Sequence, residues 1–166
     1  MAAAKENEIL RAGRRAPHFK MTRLQDGGQV ELKALLAEGP VLLAFFKSSC
    51  PVCQMTLPYL ERVHRGRAPG SMRIYAVSQD DAETTAEFNA QFGISVPTLL
   101  DTEESGYPAS NAFGIGHVPS MFLIEPDGTI GWSREGFVKR EFVAMAKQAG
   151  SSPFAPGENV PEWKAG

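Results

Sequence analysis

The sequence has 166 residues, of which 43% are hydrophobic and 22% are charged, and its formal net charge is -2 at pH 7. These values are typical of one globular domain with enough apolar residues for a core. The near-neutral charge gives no indication of nucleic-acid binding, and the longest strongly apolar run, Val41–Phe46, is too short to span a membrane.

The N-terminal stretch MAAAKENEILRAGRR carries charged residues where a secretory signal peptide has its apolar core. Residues 1–14 are therefore predicted to be a polar lead-in with some helical potential. At face value the chain is expected to be cytoplasmic, or periplasmic if a leader preceded it. Because the cytosol keeps thiols reduced, a purely structural disulfide is not expected there.

The next elements follow from turn residues and apolar patterning. Apolar residues alternate on both sides of QDGGQ, which predicts a β-hairpin with Gly27 and Gly28 in its turn. The segment LKALLAEG predicts a short helix that ends at Gly39. The apolar run VLLAFFK predicts a strand buried on both faces. A helix is predicted from about residue 51 to residue 65, because proline suits a first helical position.

The second half of the chain repeats this alternation. MRIYAVS predicts another buried strand, and DDAETTAEFNAQFG predicts a helix with Asp80 and Glu83 as a capping box and Gly93 as its end. VPTLLD predicts a short strand and YPASNAFG a short helix. SMFLIEPDGTIGWS predicts a hairpin with PDG in its turn, and KREFVAMAKQAG a final helix.

Strands that alternate with helices, followed by a hairpin and a last helix, indicate an α/β fold with a mixed sheet. We assign residues 15–149 to this domain and residues 1–14 to the lead-in. Residues 150–166 are rich in proline and glycine and predict an extended tail. Whether Phe154 and Trp163 attach this tail to the domain is left open by the sequence.

Cys50 and Cys53 are the two cysteines of the chain, and they stand where the buried strand ends and the next helix begins. A tetrahedral metal site needs four ligands, but this pair supplies two and His18, His64 and His117 have no ligand spacing. Two buried, unreactive thiols are the simplest alternative. However, α/β folds place their active sites at this edge of the sheet. The position therefore favours a redox-active dithiol.

The start of a helix favours reactivity at the first cysteine. Free N–H groups in the first turn, together with the positive end of the helix dipole, stabilise a thiolate at Cys50. Cys53 lies one turn further on the same face, within reach of a disulfide. Cys50 is therefore expected to attack and Cys53 to resolve. No cofactor is implied, because the redox-active disulfide itself carries the electrons.

The strand, the sequence C-P-V-C, the helix and Pro58 together resemble the active-site segment of the thioredoxin superfamily. GIGHVPSMFLIEPDGTI resembles the loop, cis-proline and hairpin that face the dithiol in that fold. The resemblance implies a thioredoxin-like fold, with a central mixed β-sheet flanked by helices. It also implies that Val118 and Pro119 form a cis peptide beside the dithiol, where the Val118 backbone pairs with a substrate strand.

Two further segments, RAPHFKM and AVSQDDAETTAEFNAQFGISVPTLLD with its extra strand and helix, are similar to TlpA/ResA-like thiol-disulfide oxidoreductases, near the AhpC/TSA group. This resemblance implies exchange of electrons with protein thiols and disulfides and with an upstream thiol reductant. The chain is expected to be a monomer. Pro51 and Val52, between the cysteines, are expected to support the site. His117 would lie near the thiols, where an imidazole could help to hold a thiolate, but an ordinary loop histidine is the default interpretation.

The sequence also departs from these families. Thioredoxins carry a buried acid where this chain has Ala44, ResA-like proteins often have glutamate where it has Thr56, and many relatives have tryptophan where it has Ser49. The main alternative function is a peroxiredoxin-like, thiol-dependent peroxidase, which needs proline and a hydroxyl residue where this chain has Leu43 and Lys47. A non-catalytic binding module of the same fold is the second alternative.

Overall fold

The computed structural model describes residues 8–166, and seven strands of this part form one mixed sheet. These strands are β1 Lys20–Arg23, β2 Gln29–Glu31, β3 Val41–Phe46, β4 Arg73–Ser78, β5 Thr98–Leu100, β6 Ser120–Ile124 and β7 Ile130–Glu135. A second, two-stranded sheet contains β8 Phe137–Val138 and β9 Trp163–Lys164. The helices are α1 Leu32–Leu36, α2 Pro51–Gly66, α3 Ala82–Phe92, α4 Pro108–Phe113 and α5 Lys139–Gln148.

The large sheet has the strand order β2-β1-β5-β4-β3-β6-β7. Strand β3 lies in the interior of this sheet, parallel to β4 and antiparallel to β6. The predicted hairpins are present as β1–β2 and β6–β7. The α/β fold with a mixed sheet is therefore confirmed. Among residues 8–166, no helix combines the length and the hydrophobicity that crossing a bilayer requires.

Strand β3 separates two apolar cores, which explains why its six residues are all fully buried. Leu42, Ala44 and Phe46 face the core that α2 and α5 cover. Their neighbours in the strand face a second core, which contains residues of α1, α4 and the N-terminal segment. Because successive strand residues point to opposite faces, a continuous apolar run is what a strand between two cores needs.

The predicted capping box at the start of α3 is wrong by one residue. The helix is capped by Asp81, whose Oδ1 accepts a hydrogen bond from the Thr84 N–H at 2.8 Å. Asp80 lies one position earlier and binds elsewhere, as described below. Gly93 ends the helix in the left-handed region (φ 65°), as predicted, where glycine carries no Cβ penalty.

The N-terminal segment packs against the domain without forming a helix in its described part. Residues 8–14 contain a turn at residues 12–13 but no helix, and residues 1–7, the remainder of the predicted lead-in, lie outside the described residues. Ile9 is 1% exposed, and the Leu10 N–H donates a hydrogen bond to the Phe113 carbonyl at 3.1 Å. This contact links the segment to the end of α4.

The C-terminal tail lies against the body of the protein along much of its length. Phe154 packs edge-on against Tyr59 of α2, with ring centroids 4.8 Å apart. The Arg62 guanidinium holds the Glu158 carboxylate at 2.6 and 2.9 Å, and Val160 is buried. Further on, β9 pairs antiparallel with β8. The sequence predicted an extended tail but not this strand.

Candidate active site

The two cysteines lie at the junction of β3 and α2, as predicted. Cys50 is the N-cap residue of α2 and is partly exposed, and Pro51 takes the first helical position. Cys53 is 0% exposed, and no disulfide joins the two sulfurs in this structure. The helix therefore presents one cysteine to solvent and turns the other into the core.

The sulfur of Cys50 has two polar neighbours. Its Sγ accepts a hydrogen bond from the Cys53 backbone N–H at 3.2 Å, one of the free donors of the first helical turn. Its S–H points to the Val118 carbonyl oxygen at 3.4 Å. An N–H donor of this kind also stabilises a thiolate. The Cys50 sulfur therefore lies between the start of α2 on one side and the loop that carries Val118 on the other.

Cys53 has a much less polar environment. It belongs to the apolar core that also contains Ala44 and Leu57. Burial raises the pKa of the Cys53 thiol, and the hydrogen bond to Cys50 raises it further. The Lys47 backbone N–H opposes this shift, while the charge of Asp80 adds a smaller increase. Cys53 is therefore held in its protonated form.

The loop before β6 supplies the other side of the site. The Val118–Pro119 peptide is cis, as predicted, and Pro119 is buried while Val118 is half-buried. The Pro119 carbonyl accepts a hydrogen bond from the Gly136 N–H at 2.8 Å. The His117 carbonyl accepts one from the Ser120 hydroxyl at 2.7 Å. These bonds fix the loop that faces Cys50.

Comparison with known proteins identifies this arrangement. The model of the AhpC/TSA family matches residues 12–133. The chain belongs to the AhpC/TSA family. It is 30% identical over 126 residues to "Thiol-disulfide oxidoreductase ResA" of Halalkalibacterium halodurans, which covers 75% of this chain and 69% of the relative.

Solved structures show the same fold. The thioredoxin domain of a thiol-disulfide oxidoreductase from Bacteroides vulgatus superposes with a TM-score of 0.73 at 20% identity, over 83% of this chain and 96% of that one. Peroxidoxin BcpB from Mycobacterium tuberculosis gives a TM-score of 0.69 at 20% identity, over 82% and 94%. At these identities the likeness concerns the fold alone. Together with the sequence relative, it makes this protein a TlpA/ResA-like thiol-disulfide oxidoreductase of the thioredoxin superfamily, as predicted.

Two residues of this chain differ from the residues that related families carry near the buried cysteine. Ala44, at the position of the buried acid of thioredoxins, is 0% exposed and shares an apolar core with Cys53. Thr56, at the position of the ResA glutamate, donates its hydroxyl to the Val52 carbonyl at 2.7 Å. Neither position therefore offers a proton acceptor to the buried thiol.

A residue that sequence reasoning missed holds the loop before Cys50. The Asp80 carboxylate accepts a hydrogen bond from the Ser48 N–H at 2.7 Å, and the Gln54 amide donates to the Ser48 carbonyl at 2.8 Å. The backbone of Ser48 is thus bound through both its N–H and its carbonyl. One signal for this contact was available: Asp80 follows β4, the strand parallel to β3, and the carboxyl ends of parallel neighbours meet at one edge.

Two of the predicted supporting residues lie between the cysteines, in the first turn of α2. Pro51 is exposed and Val52 half-buried at the start of α2. His117 is exposed, and it lines a cavity of about 240 Å³ together with Lys47 and Tyr107. Their roles in the reaction stay predictions. Within residues 8–166, no group of three or more histidine, cysteine or acidic residues is placed to hold a metal ion.

Proposed function

We propose that the protein reduces disulfides of partner proteins through a mixed disulfide at Cys50, with Cys53 as the resolving thiol. The observation that supports this assignment is the asymmetry of the pair. The Cys50 sulfur is partly exposed, receives an N–H from the first turn of α2 and faces Val118, whereas Cys53 is buried. Thiolate character and access select the attacking sulfur in thiol-disulfide exchange.

The steps balance with two electrons and two protons. The Cys50 thiolate attacks one sulfur of the partner disulfide, a Cys50–partner bond forms, and the second partner sulfur leaves as a thiolate that takes up a proton. Cys53 then attacks the Cys50 Sγ, and the bond between Cys50 and the partner breaks. The proton that Cys53 gives up passes to the first partner sulfur, which leaves as a thiol. The products are a partner dithiol and a Cys50–Cys53 disulfide.

The cycle closes when an upstream dithiol reductant attacks the Cys50–Cys53 disulfide and leaves as a disulfide itself. The electrons travel on sulfur throughout, so no cofactor and no metal enters the scheme. Val118 and Pro119 form the surface on which the partner's backbone lies, since their loop contacts Cys50. We propose that one monomer carries out the reaction, because both sulfurs and the loop belong to one chain.

Trapping tests the assignment of the two sulfurs. Cys53→Ser lacks the resolving thiol and is expected to accumulate a partner protein bound through a reducible bond to Cys50. Cys50→Ser, with the same single-atom change at the other position, is expected to trap nothing and to lose insulin reduction. Equal trapping by both variants, or insulin reduction by Cys50→Ser, would contradict the proposal.

Peroxide turnover separates the proposed function from its main alternative. Leu43, where a peroxiredoxin has its proline, is 0% exposed, and Lys47 offers no hydroxyl to seat a peroxide. Hydrogen peroxide is therefore expected to oxidise Cys50 slowly. Fast, saturable peroxide consumption with a thiol reductant would favour the peroxidase instead.

A further inference from the structure

The surface beside Cys50 is already occupied by the end of the tail. Val118, Pro119 and Gly136 lie together there, joined by the hydrogen bond from the Gly136 N–H to the Pro119 carbonyl, and this group of residues is called the groove below. Residues 163–166, called the strap below, cross this groove. They begin with the pairing of Val138 with Trp163 and of Phe137 with Lys164.

Two glycines show how closely the strap lies on the groove. A Cβ on Gly136 would lie 2.7 Å from the Lys164 carbonyl oxygen. A Cβ on Gly166 would overlap the Val118 carbonyl oxygen and would lie 3.2 Å from the Pro119 nitrogen. The backbone of Gly166 therefore rests directly on the Val118–Pro119 peptide. The same Val118 carbonyl receives the Cys50 S–H.

The position of Gly166 on the Val118–Pro119 peptide is also the position that a partner's backbone must occupy. In a disulfide the two Cα atoms are usually 4.4–6.8 Å apart, so a partner cysteine bonded to Cys50 brings its own backbone close to that sulfur. The Cys50 Sγ is 3.4 Å from the Val118 oxygen, against which Gly166 lies. A partner chain and the strap therefore compete for one position.

The strap is weakly held compared with the rest of the tail. Its four residues are exposed, and Trp163 is 63% exposed. The tail before it is anchored by buried Val160 and by the Arg62–Glu158 ion pair. A segment with few buried contacts opens at low free energy while its anchored neighbour stays in place.

We propose that the strap is an intramolecular occupant of the partner-docking groove, and that the partner is a protein whose extended segment, with a small residue over Val118, displaces it. The inference rests on the proposed function, because only a backbone bound at Cys50 needs this groove. The strap mimics such a segment: it lies extended, pairs through its backbone and places glycine at the closest approach. It therefore lowers the fraction of molecules that are ready to bind a partner.

The test compares the full chain with a variant that lacks residues 163–166. Removing the strap is expected to increase the rate of insulin reduction about three- to tenfold, since apparent affinity scales with the fraction of binding-competent protein. The reaction of the reduced protein with the small disulfide dithiobis(nitrobenzoate), which needs no backbone groove, is expected to change by less than about twofold.

Two substitutions keep the test independent of the deletion. Gly166→Val adds a side chain that overlaps the Val118 carbonyl, so it should release the strap and reproduce the faster insulin reduction. Lys164→Ala is the matched control, because β9 pairs through its backbone and the lysine side chain is exposed. It should leave both rates unchanged.

Equal insulin rates for the full chain, the deletion and Gly166→Val would overturn the strap while leaving the proposed function intact. If none of the three reduced insulin, and Cys53→Ser trapped no partner, the proposed function itself would fail and the strap with it. A tenfold effect on the small disulfide as well would overturn competition for the groove, because the strap would then simply cover Cys50.

Discussion

Cys50 and Cys53 carry the same thiol, but their surroundings differ in the two properties that decide reactivity. Cys50 is partly exposed, while Cys53 is 0% exposed and has a raised pKa because of burial. Limiting iodoacetamide at pH 7 should therefore modify Cys50 at least about tenfold faster than Cys53. Peptide mapping by mass spectrometry measures the two rates, and comparable rates would contradict the assignment of roles.

The raised pKa of Cys53 also makes the stability of the reduced protein depend on pH. Its folded-state pKa lies above the ordinary 9.0, so above about pH 9 the unfolded chain loses this proton while the folded protein keeps it. The stabilisation is complete below pH 9 and decreases as pH rises, by up to about 1.4 kcal/mol per pH unit from this group.

Denaturant titration between pH 8 and pH 10.5 measures this slope. Cys53→Ala is the control, because it removes the titrating group while keeping a small apolar side chain. Its free energy of unfolding should decrease less steeply than that of the reduced parent protein. Parallel curves for the two proteins would show that Cys53 does not contribute.

Asp80 contributes to the stability of the fold through the hydrogen bond that it accepts from the Ser48 N–H. Asp80→Ala leaves the partly buried Ser48 N–H without its carboxylate, so we expect a loss of about 1–3 kcal/mol in the free energy of unfolding. Asp80→Asn keeps an acceptor oxygen and should lose about half as much. Similar losses for the two variants would mean that the charge, and not the hydrogen bond, matters.

At the scale of elements, Glu61 connects α2 to the loop before β5. Its carboxylate is buried and accepts hydrogen bonds from the Ser95 N–H and hydroxyl, both at 2.6 Å, and from the Val96 N–H at 3.1 Å. Replacement by alanine leaves these donors unpaired, which we expect to cost about 2–4 kcal/mol.

Thermal and denaturant unfolding of Glu61→Ala measure this cost. Glu87→Ala, an exposed glutamate in the middle of α3, is the matched control and should change stability by less than about 0.5 kcal/mol. An effect at Glu61 as small as that of the control would show that water satisfies the loop once the carboxylate is gone.

The sequence predicts those secondary-structure elements that depend on a local pattern of residues. Helix α2 begins at Pro51 because proline suits a first helical position, and β3 is recognisable from its continuous apolar run. The contact of Asp80 with Ser48 was not predicted, because it depends on which strands are neighbours. Nor was β9, because two exposed residues in a segment rich in proline and glycine carry no periodic pattern.

At the scale of the whole molecule, the tail extends the core that covers Cys53. Phe154 lies among Tyr59, Phe137 and Phe142, with ring centroids 4.8, 6.3 and 5.8 Å away. Phe137 belongs to β8, the strand that pairs with β9. The aromatic cluster therefore joins α2, α5 and β8, so the part of the tail that precedes the strap should unfold together with the domain.

Phe154→Ala tests this coupling. The ring is half-buried, so its removal should lower the free energy of unfolding by about 2 kcal/mol. Trp163→Ala removes a larger ring from the same tail, but this ring is 63% exposed, so the loss should stay within about 0.5 kcal/mol. Urea unfolding followed by circular dichroism gives both values. A loss at Trp163 that equals the loss at Phe154 would mean that the strap stabilises the protein as much as the aromatic cluster does, and would contradict the weak attachment of the strap.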